Sequence, residues 1–334
     1  NNSLNNTNVT TTLITNDLKF IKNDSFTFNG IKKNFEIFLR NINSVGKNNI
    51  DYKNSPQSEL ISTYSYNISL PLIKDTENFI NTLTPKLSFK VTPHDMKNKS
   101  TTSRRINVDN IFAIDRLSLE NTFETGESLT LGVDLIKERT NTKIVEGEIL
   151  TEIEKYFDFK LATVLRLNEE NYIPSNSTLN KKRSNIFGRA EFNPNENTSI
   201  NYNFSLTDSL DKFESNSLNV EFNFNNFSTS FDYLEESGAL GGANIIQNTT
   251  KFNFNEYNSI SMGTRRNREI NLTEFYDLIY EYKNDCLVAD IKYRKDYYNS
   301  ADIKPKEELF FSITIVPFYT YSPDKMILNK DRID

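Results

Sequence analysis

Along most of this chain apolar and polar residues alternate with a period of two, the pattern of strands that present one apolar and one polar face. Leu129, Leu131, Val133 and Leu135 are interleaved with Ser128, Thr130, Gly132 and Asp134. The same reading holds for Ile200, Tyr202, Phe204 and Leu206, for Leu218, Val220, Phe222 and Phe224, and for Phe227, Phe231 and Tyr233. About fifteen strands are expected. The clearest lie near residues 33–41, 58–70, 85–92, 128–137, 156–167, 185–193, 198–207, 216–225, 227–234, 259–266, 274–282, 286–296 and 308–317. In Glu146–Phe159 the spacing of Ile149, Ile153 and Tyr156 also fits a helix; a strand is the expectation taken here.

The connections fall into two kinds. Asn225-Asn226 is a two-residue hairpin turn built from residues that tolerate positive φ, and Asn193-Pro194-Asn195-Glu196-Asn197 is a second short reversal. Long polar stretches occupy residues 93–111, 168–183 and 298–307. Short turns at one end and long loops at the other are the asymmetry of outer-membrane barrels.

Composition sharpens the choice of solvent. The 334 residues carry a net charge of −6, 37% hydrophobic residues and a mean hydropathy of −0.58, values that suggest a hydrophilic or partly disordered chain. Sixteen Tyr and 25 Phe, recurring at alternate positions, argue against disorder. No apolar run of ~18 residues is present, so no transmembrane helix is expected, whereas a barrel strand needs only ~10 residues with alternate ones apolar. A soluble sandwich would bury the apolar faces in one core with strands of ~5–6 residues. Here many strands are longer and their polar faces are almost uninterrupted. The expected fold is therefore all-β, an antiparallel transmembrane β-barrel, with strands from about residue 13 to 318 and a C-terminal tail over 319–334. Residue 1 is Asn and no leader pattern follows it, which suggests part of a longer precursor.

Little points to chemistry. One Cys, one His and no Trp leave no metal set, no cofactor site and no catalytic residues to nominate. His94 beside Asp95 could serve as a base only with a serine nearby, and Thr92-Pro93-His94-Asp95 reads as a turn. The segment Gly238-Ala239-Leu240-Gly241-Gly242-Ala243 lacks the Lys-Ser/Thr of a phosphate loop. Basic clusters at Lys97, Lys99, Arg104 and Arg105, at Lys181, Lys182 and Arg183, and at Arg265, Arg266 and Arg268 could meet phosphates or sugars, but solvated loop charge is the plainer account. The negative net charge argues against nucleic acid.

The C-terminal third carries the sharpest pattern. Tyr276, Leu278, Tyr280 and Tyr282 alternate with Asp277, Ile279 and Glu281; after Lys283-Asn284-Asp285 comes Cys286, and Leu287, Ala289, Ile291 and Tyr293 follow on one face. The final strand has Leu309, Phe311, Ile313 and Ile315 on one face and ends at Pro317-Phe318. The run Leu272–Cys286, with Tyr293-Arg294-Lys295 and Asp302-Ile303-Lys304-Pro305, resembles the C-terminal end of the LptD family, also called OstA or Imp, particularly its alphaproteobacterial branch. Leu83-Thr84-Pro85-Lys86, Val108-Asp109-Asn110-Ile111-Phe112 with Asp115-Arg116-Leu117, and Glu124–Gly132 resemble family blocks in the same order. Pro174–Leu179 and Arg183–Gly188 do likewise.

That resemblance implies a non-enzymatic translocon of the bacterial outer membrane, which inserts lipopolysaccharide into the outer leaflet through a lateral gate. It further implies that residues 1–334 are the C-terminal part of a larger barrel whose first strands and N-terminal jellyroll these residues lack, with an LptE-like lipoprotein plug, a periplasmic Lpt bridge reached through that jellyroll, and delivery by the barrel-insertion machinery. In the family the first and last barrel strands meet at the gate, which would make Leu309, Phe311, Ile313, Ile315, Pro317 and Phe318 one side of it. A family Cys at the place of Cys286 pairs with one in the periplasmic region; by itself the residue reads as half of a bridge or as an unpaired thiol. Other outer-membrane barrels, a porin or a plugged transporter passing small solutes, form the alternative reading, and a soluble β-protein such as an adhesin the third.

Overall fold

The computed structural model describes residues 8–24, 30–50, 52–96, 103–119, 122–145, 148–238, 242–297, 304–316, 319–321 and 326–327. Its elements are β1 (Thr10–Asp24), β2 (Lys32–Lys47), β3 (Gln57–Ser69), β4 (Leu72–Thr76), β5 (Phe79–Thr92), β6 (Gly126–Val145), β7 (Glu148–Arg166), β8 (Ile186–Asn195) and β9 (Thr198–Leu206). They continue with β10 (Phe213–Phe224), β11 (Phe227–Glu236), β12 (Ala243–Asn253), β13 (Asn258–Asn267), β14 (Leu272–Lys283), β15 (Leu287–Asp296) and β16 (Lys306–Ile315), then the short β17 (Tyr319–Tyr321) and β18 (Met326–Ile327). Every paired ladder with a described register is antiparallel. The expected all-β sheet is observed, and residues 148–166 are strand throughout.

Several strands exceed the expectation. The hairpin of β4 and β5 begins well before residue 85, β12 was not among the clearest alternations, and β17 and β18 lie where a plain tail was expected. Asn225-Asn226 does form a two-residue turn, with Phe224 opposite Phe227. Neither Asn takes positive φ, so the turn uses ordinary backbone that most residues adopt. The connections alternate in length along the chain. Residues 77–78, 196–197, 225–226, 254–257 and 284–286 are short, and 93–125, 167–185, 207–212 and 237–242 between them are longer.

Two units share the chain. One comprises Asn1–Lys137, Phe159–Gly188 and Leu206–Asp211, the other Glu138–Asp158, Arg189–Ser205 and Lys212–Asp334. In the second, register sorts the side chains into rows. Met262, Leu278, Tyr293 and Leu309 are successive partners across β13 to β16, and the neighbouring row is Gly263, Asp277, Arg294 and Glu308. The first row lies on the bare face, where Met262 is 51% and Leu278 45% exposed; in the second, Glu308 is 3% exposed. Apolar residues are thus bare and charged ones covered, the reverse of a water-soluble fold.

The first unit shows the same inversion more strongly. Thr63, Ser65, Ser88, Thr92, Ser128 and Thr130 are buried, while Leu60, Tyr64, Tyr66, Phe89 and Leu131 are exposed. What covers its polar face is the chain between β5 and β6. That segment was expected to be a polar loop over 93–111. Its described part instead holds Ile106, Val108, Ile111, Ile114, Leu117, Leu119 and Phe123 at 8% exposure or less. The reason is local: apolar residues here follow no period of two, so nothing in the pattern marked them as a packed face.

Candidate functional site

The lobe formed by residues 103–119 and 122–125 is held to the strands by ionic and apolar anchors. Turns shape it first. The Asn107 side chain accepts from the amides of Asp109 and Asn110, and the Ile111 amide donates to Asn107 O at 3.0 Å. These close the backbone groups of a segment that no ladder serves. Its apolar residues then pack with Ala162 and Val164 of β7, Phe187 of β8, and Ile173 and Leu179 from the connection 167–185. A second cluster joins Ile114 and Phe123 to Phe38, Ile42 and Ile61 of β2 and β3.

At the lobe's end sits a buried charge cluster. Lys90, Arg116, Glu124 and Arg166 are 3%, 1%, 3% and 6% exposed. Arg116 grips Glu124 bidentately, Nε to Oε2 at 2.8 Å and Nη2 to Oε1 at 2.5 Å. Lys90 Nζ donates to Oε2 at 2.6 Å, and Arg166 Nη1 to Oε1 at 2.8 Å. Three cations therefore meet one carboxylate. The surplus positive charge is met by oxygen dipoles. Arg116 also donates to Ser128 Oγ, Thr130 Oγ1 and Ile111 O, Lys90 to Ile114 O, and Arg166 to Thr125 O. Burial pushes the Glu124 carboxyl up, but Arg116 and Lys90, the Arg116 hydrogen bond and Arg166 outweigh it and hold the group well below the usual carboxylate range.

Arg40 makes a second anchor from β2. Its guanidinium donates to both oxygens of Asp17 at 2.8 Å and to the backbone oxygens of Leu119 and Thr122. It also lies over Phe38 and Phe123, which are stacked at 4.9 Å.

Two glycines admit this packing. A Cβ at Gly132 would stand 2.7 Å from Phe112 Cζ. Gly126 has φ +83 and a Cβ there would lie 3.1 Å from Arg166 Nη2. The connection 167–185 docks alongside, with Ser103 Oγ donating to Asn176 Oδ1 at 3.2 Å and the Arg166 amide donating to Lys182 O at 2.8 Å. The two long connections thus form one folded cap on the polar face of this unit.

A family model described as LPS transport system D matches residues 41–257, more than half of the chain. The chain belongs to the LptD family. No curated protein matches the sequence. Two variants of the porin of Rhodopseudomonas blastica are similar in structure. One has 9% identity and a TM-score of 0.36, over 79% of this chain and 84% of that one. The other has 8% identity and a TM-score of 0.37, over 91% and 93%. LptD membership places the chain in the bacterial outer membrane, in lipopolysaccharide transport and among non-enzymatic proteins.

Within this LptD-family chain the nominated residues lie apart from the cluster. Leu309, Phe311, Ile313 and Ile315 are on the second unit's β16, whose other edge pairs with β17 and β18. Pro317 and Phe318 lie outside the described residues. Cys286 is a free, exposed thiol in the turn before β15, its amide donating to Asn284 Oδ1.

His94 Nε2 is 3.3 Å from Ser62 Oγ in an exposed pair, and no third group among the described residues orients the ring for catalysis. Lys97, Lys99 and residues 239–241 are outside the described residues. Arg265 pairs with Glu274 and Arg266 with Asn271, while Lys181, Lys182 and Arg183 are exposed on the cap.

Sequence reasoning passed over Lys90, Arg116, Glu124 and Arg166. A signal was present. Lys90 lies between Phe89 and Val91, and Arg166 between Leu165 and Leu167, each a cation flanked by apolar residues that point to the other face of its strand.

Proposed function

We propose that this chain forms part of the wall of an outer-membrane lipopolysaccharide translocon, with its polar face toward the lumen and the cap of residues 103–119, 122–125 and 167–185 closing that lumen on the cell-surface side. The observation that carries the reading is the inverted sheet with a folded cap locked onto its polar side by Glu124. Long connections of such barrels face the exterior and short turns the periplasm. A lumen closed above leaves a sideways exit for an amphiphile that enters from below.

The release step belongs at a lateral seam with β16 as one side. Among the described residues its outer edge pairs with β17 at three positions and with β18 at two. An LptE-like lipoprotein would occupy the lumen and a periplasmic Lpt bridge would deliver the substrate through a domain outside these residues. Cys286 lies among the short turns, on the periplasmic rim in this orientation, and would bridge to a cysteine outside this sequence, since the chain has no second one.

Oxidisable cysteines placed on β16 and on the strand facing it in the complete protein test the seam. Crosslinking should stop lipopolysaccharide reaching the surface, and reduction should restore it. Unimpaired export with the crosslink formed rejects the gate. Steady ion conductance by the complete protein with its plug bound would instead favour a porin.

A further inference from the structure

The bare face of the second unit is apolar or aromatic between its borders, except at one polar island on β11, β12 and β13. On β10 this face carries Leu218, Val220, Phe222 and Phe224, and on β14 Tyr276, Leu278 and Tyr280. Between those strands register sets Thr229 opposite Thr250, and Asn248 opposite Thr264. Thr250 in turn faces Met262, which is on the bare face, so all four polar side chains are on that face too. They occupy its middle. Along β12 the face reads Ile246, Asn248, Thr250, Phe252, and along β11 Tyr233, Phe231, Thr229, Phe227. Phe227, Phe231, Phe252, Met262, Tyr276 and Leu278 around the island are exposed.

The island spends every donor it has on itself and the adjoining backbone. Asn248 Nδ2 donates to Thr229 Oγ1 at 3.1 Å and to Ser230 O at 2.9 Å. Thr250 Oγ1 donates to Asn248 Oδ1 at 3.2 Å, which leaves the Thr229 hydroxyl to donate to Thr250 Oγ1 at 2.9 Å. Thr264 Oγ1 donates to Phe275 O at 3.3 Å. What remains is acceptor capacity, at least one lone pair on each side-chain oxygen. Acyl tails bring no donor, and a second copy of the island has none to spare.

From this ring of spent donors inside an apolar band we infer that the bare face of β11–β13 docks a transmembrane segment of a different protein, one that brings a side-chain N–H or O–H to the island. In hydrocarbon no water competes for such a bond, so a polar contact ringed by apolar ones holds two membrane segments together. The inference rests on the membrane reading above and adds to it a partner outside the lumen.

The test reconstitutes the complete protein in lipid vesicles with the photoreactive benzoylphenylalanine placed at Phe231, beside the island. Two membrane-spanning oligo-leucine peptides serve as probes, one with a single central Asn and one without. The Asn peptide should crosslink about tenfold more than the other at equal concentration. The same label at Phe311, on the bare face of β16, should show no such preference. Asn248→Leu combined with Thr250→Val should abolish the preference at Phe231, and Thr250→Val alone, which opens the ring with little change of size, should reduce it severalfold.

Equal yields from the two peptides, or a preference that persists in both variants, would overturn the inference. Adducts with lipid at Phe231 in vesicles without peptide separate the two levels. Lipid adducts with no peptide preference remove this docking surface alone, and no lipid adduct removes the membrane reading itself.

Discussion

Replacing Glu124 by Gln keeps the shape of the side chain and removes the one negative charge that Lys90, Arg116 and Arg166 share. All four groups are at most 6% exposed, so the three cations left behind have no water to turn to. Breaking a buried ion pair from one side costs about 3–5 kcal/mol, because the remaining charge is desolvated and uncompensated. The cap would bear this cost, since Arg116 and Glu124 belong to it while Lys90 and Arg166 are on the strands beneath. Lys90→Met is the contrasting change. It removes part of the surplus positive charge and leaves the bidentate Arg116–Glu124 pair intact, so a cost under about 1.5 kcal/mol is expected.

Hydrogen exchange followed by mass spectrometry reads the difference through amides bonded inside the cap, those of Arg104, Ile111 and Ala113, with β10 and β11 as the reference. Glu124→Gln should lower cap protection by about a hundredfold or more, at ~1.4 kcal/mol per decade, and leave the reference strands alone. Lys90→Met should lower it by less than about tenfold. Equal loss in the two variants, or none in Glu124→Gln, would refute the claim that an unpaired buried charge controls the cap.

Three further outcomes follow from the same structure. The folded-state pKa of Glu124 lies below its unfolded value of ~4.3, so its contribution is complete above that value and fades only as pH falls through the lower one; cap protection in the unmodified protein, corrected for intrinsic exchange, should be flat from about pH 7 to pH 5. Gly132→Ala puts a methyl 2.7 Å from Phe112 Cζ and should cost about 1–3 kcal/mol in denaturant titration, with Phe112→Leu recovering part of it in a double-mutant cycle. Additive costs would disprove that contact. Leu278→Lys, on the bare apolar face, should destabilise the protein in a lipid bilayer by up to about 2–4 kcal/mol and the polar-face change Asp290→Asn by much less; the reverse order would reject the lipid-facing assignment.

The period-two alternation in the sequence determined the strands and their faces. Tyr276, Leu278 and Tyr280 had to share one face and Asp277 and Glu281 the other, because neighbours on a pleated strand point opposite ways whatever packs on them. The inverted solvent logic was legible too, since long strands with unbroken polar faces cannot bury both sets in one core. The short turn before β15 was legible as well, although Cys286, expected as the first residue of the strand, lies in the turn itself.

The cap could not be read this way. Asp115-Arg116 and Glu124 look like solvated loop charges, and Ile111, Leu117 and Phe123 follow no period that would mark a buried face. Their environment depends on Lys90, Arg40 and Arg166 arriving from strands far away in the chain, and on Gly126 and Gly132 leaving room where the cap meets β6 and β7. Local periodicity reports which side of an element a residue is on. Whether the polar side meets water or another part of the chain depends on long-range pairing and desolvation, and only the tertiary structure decided that.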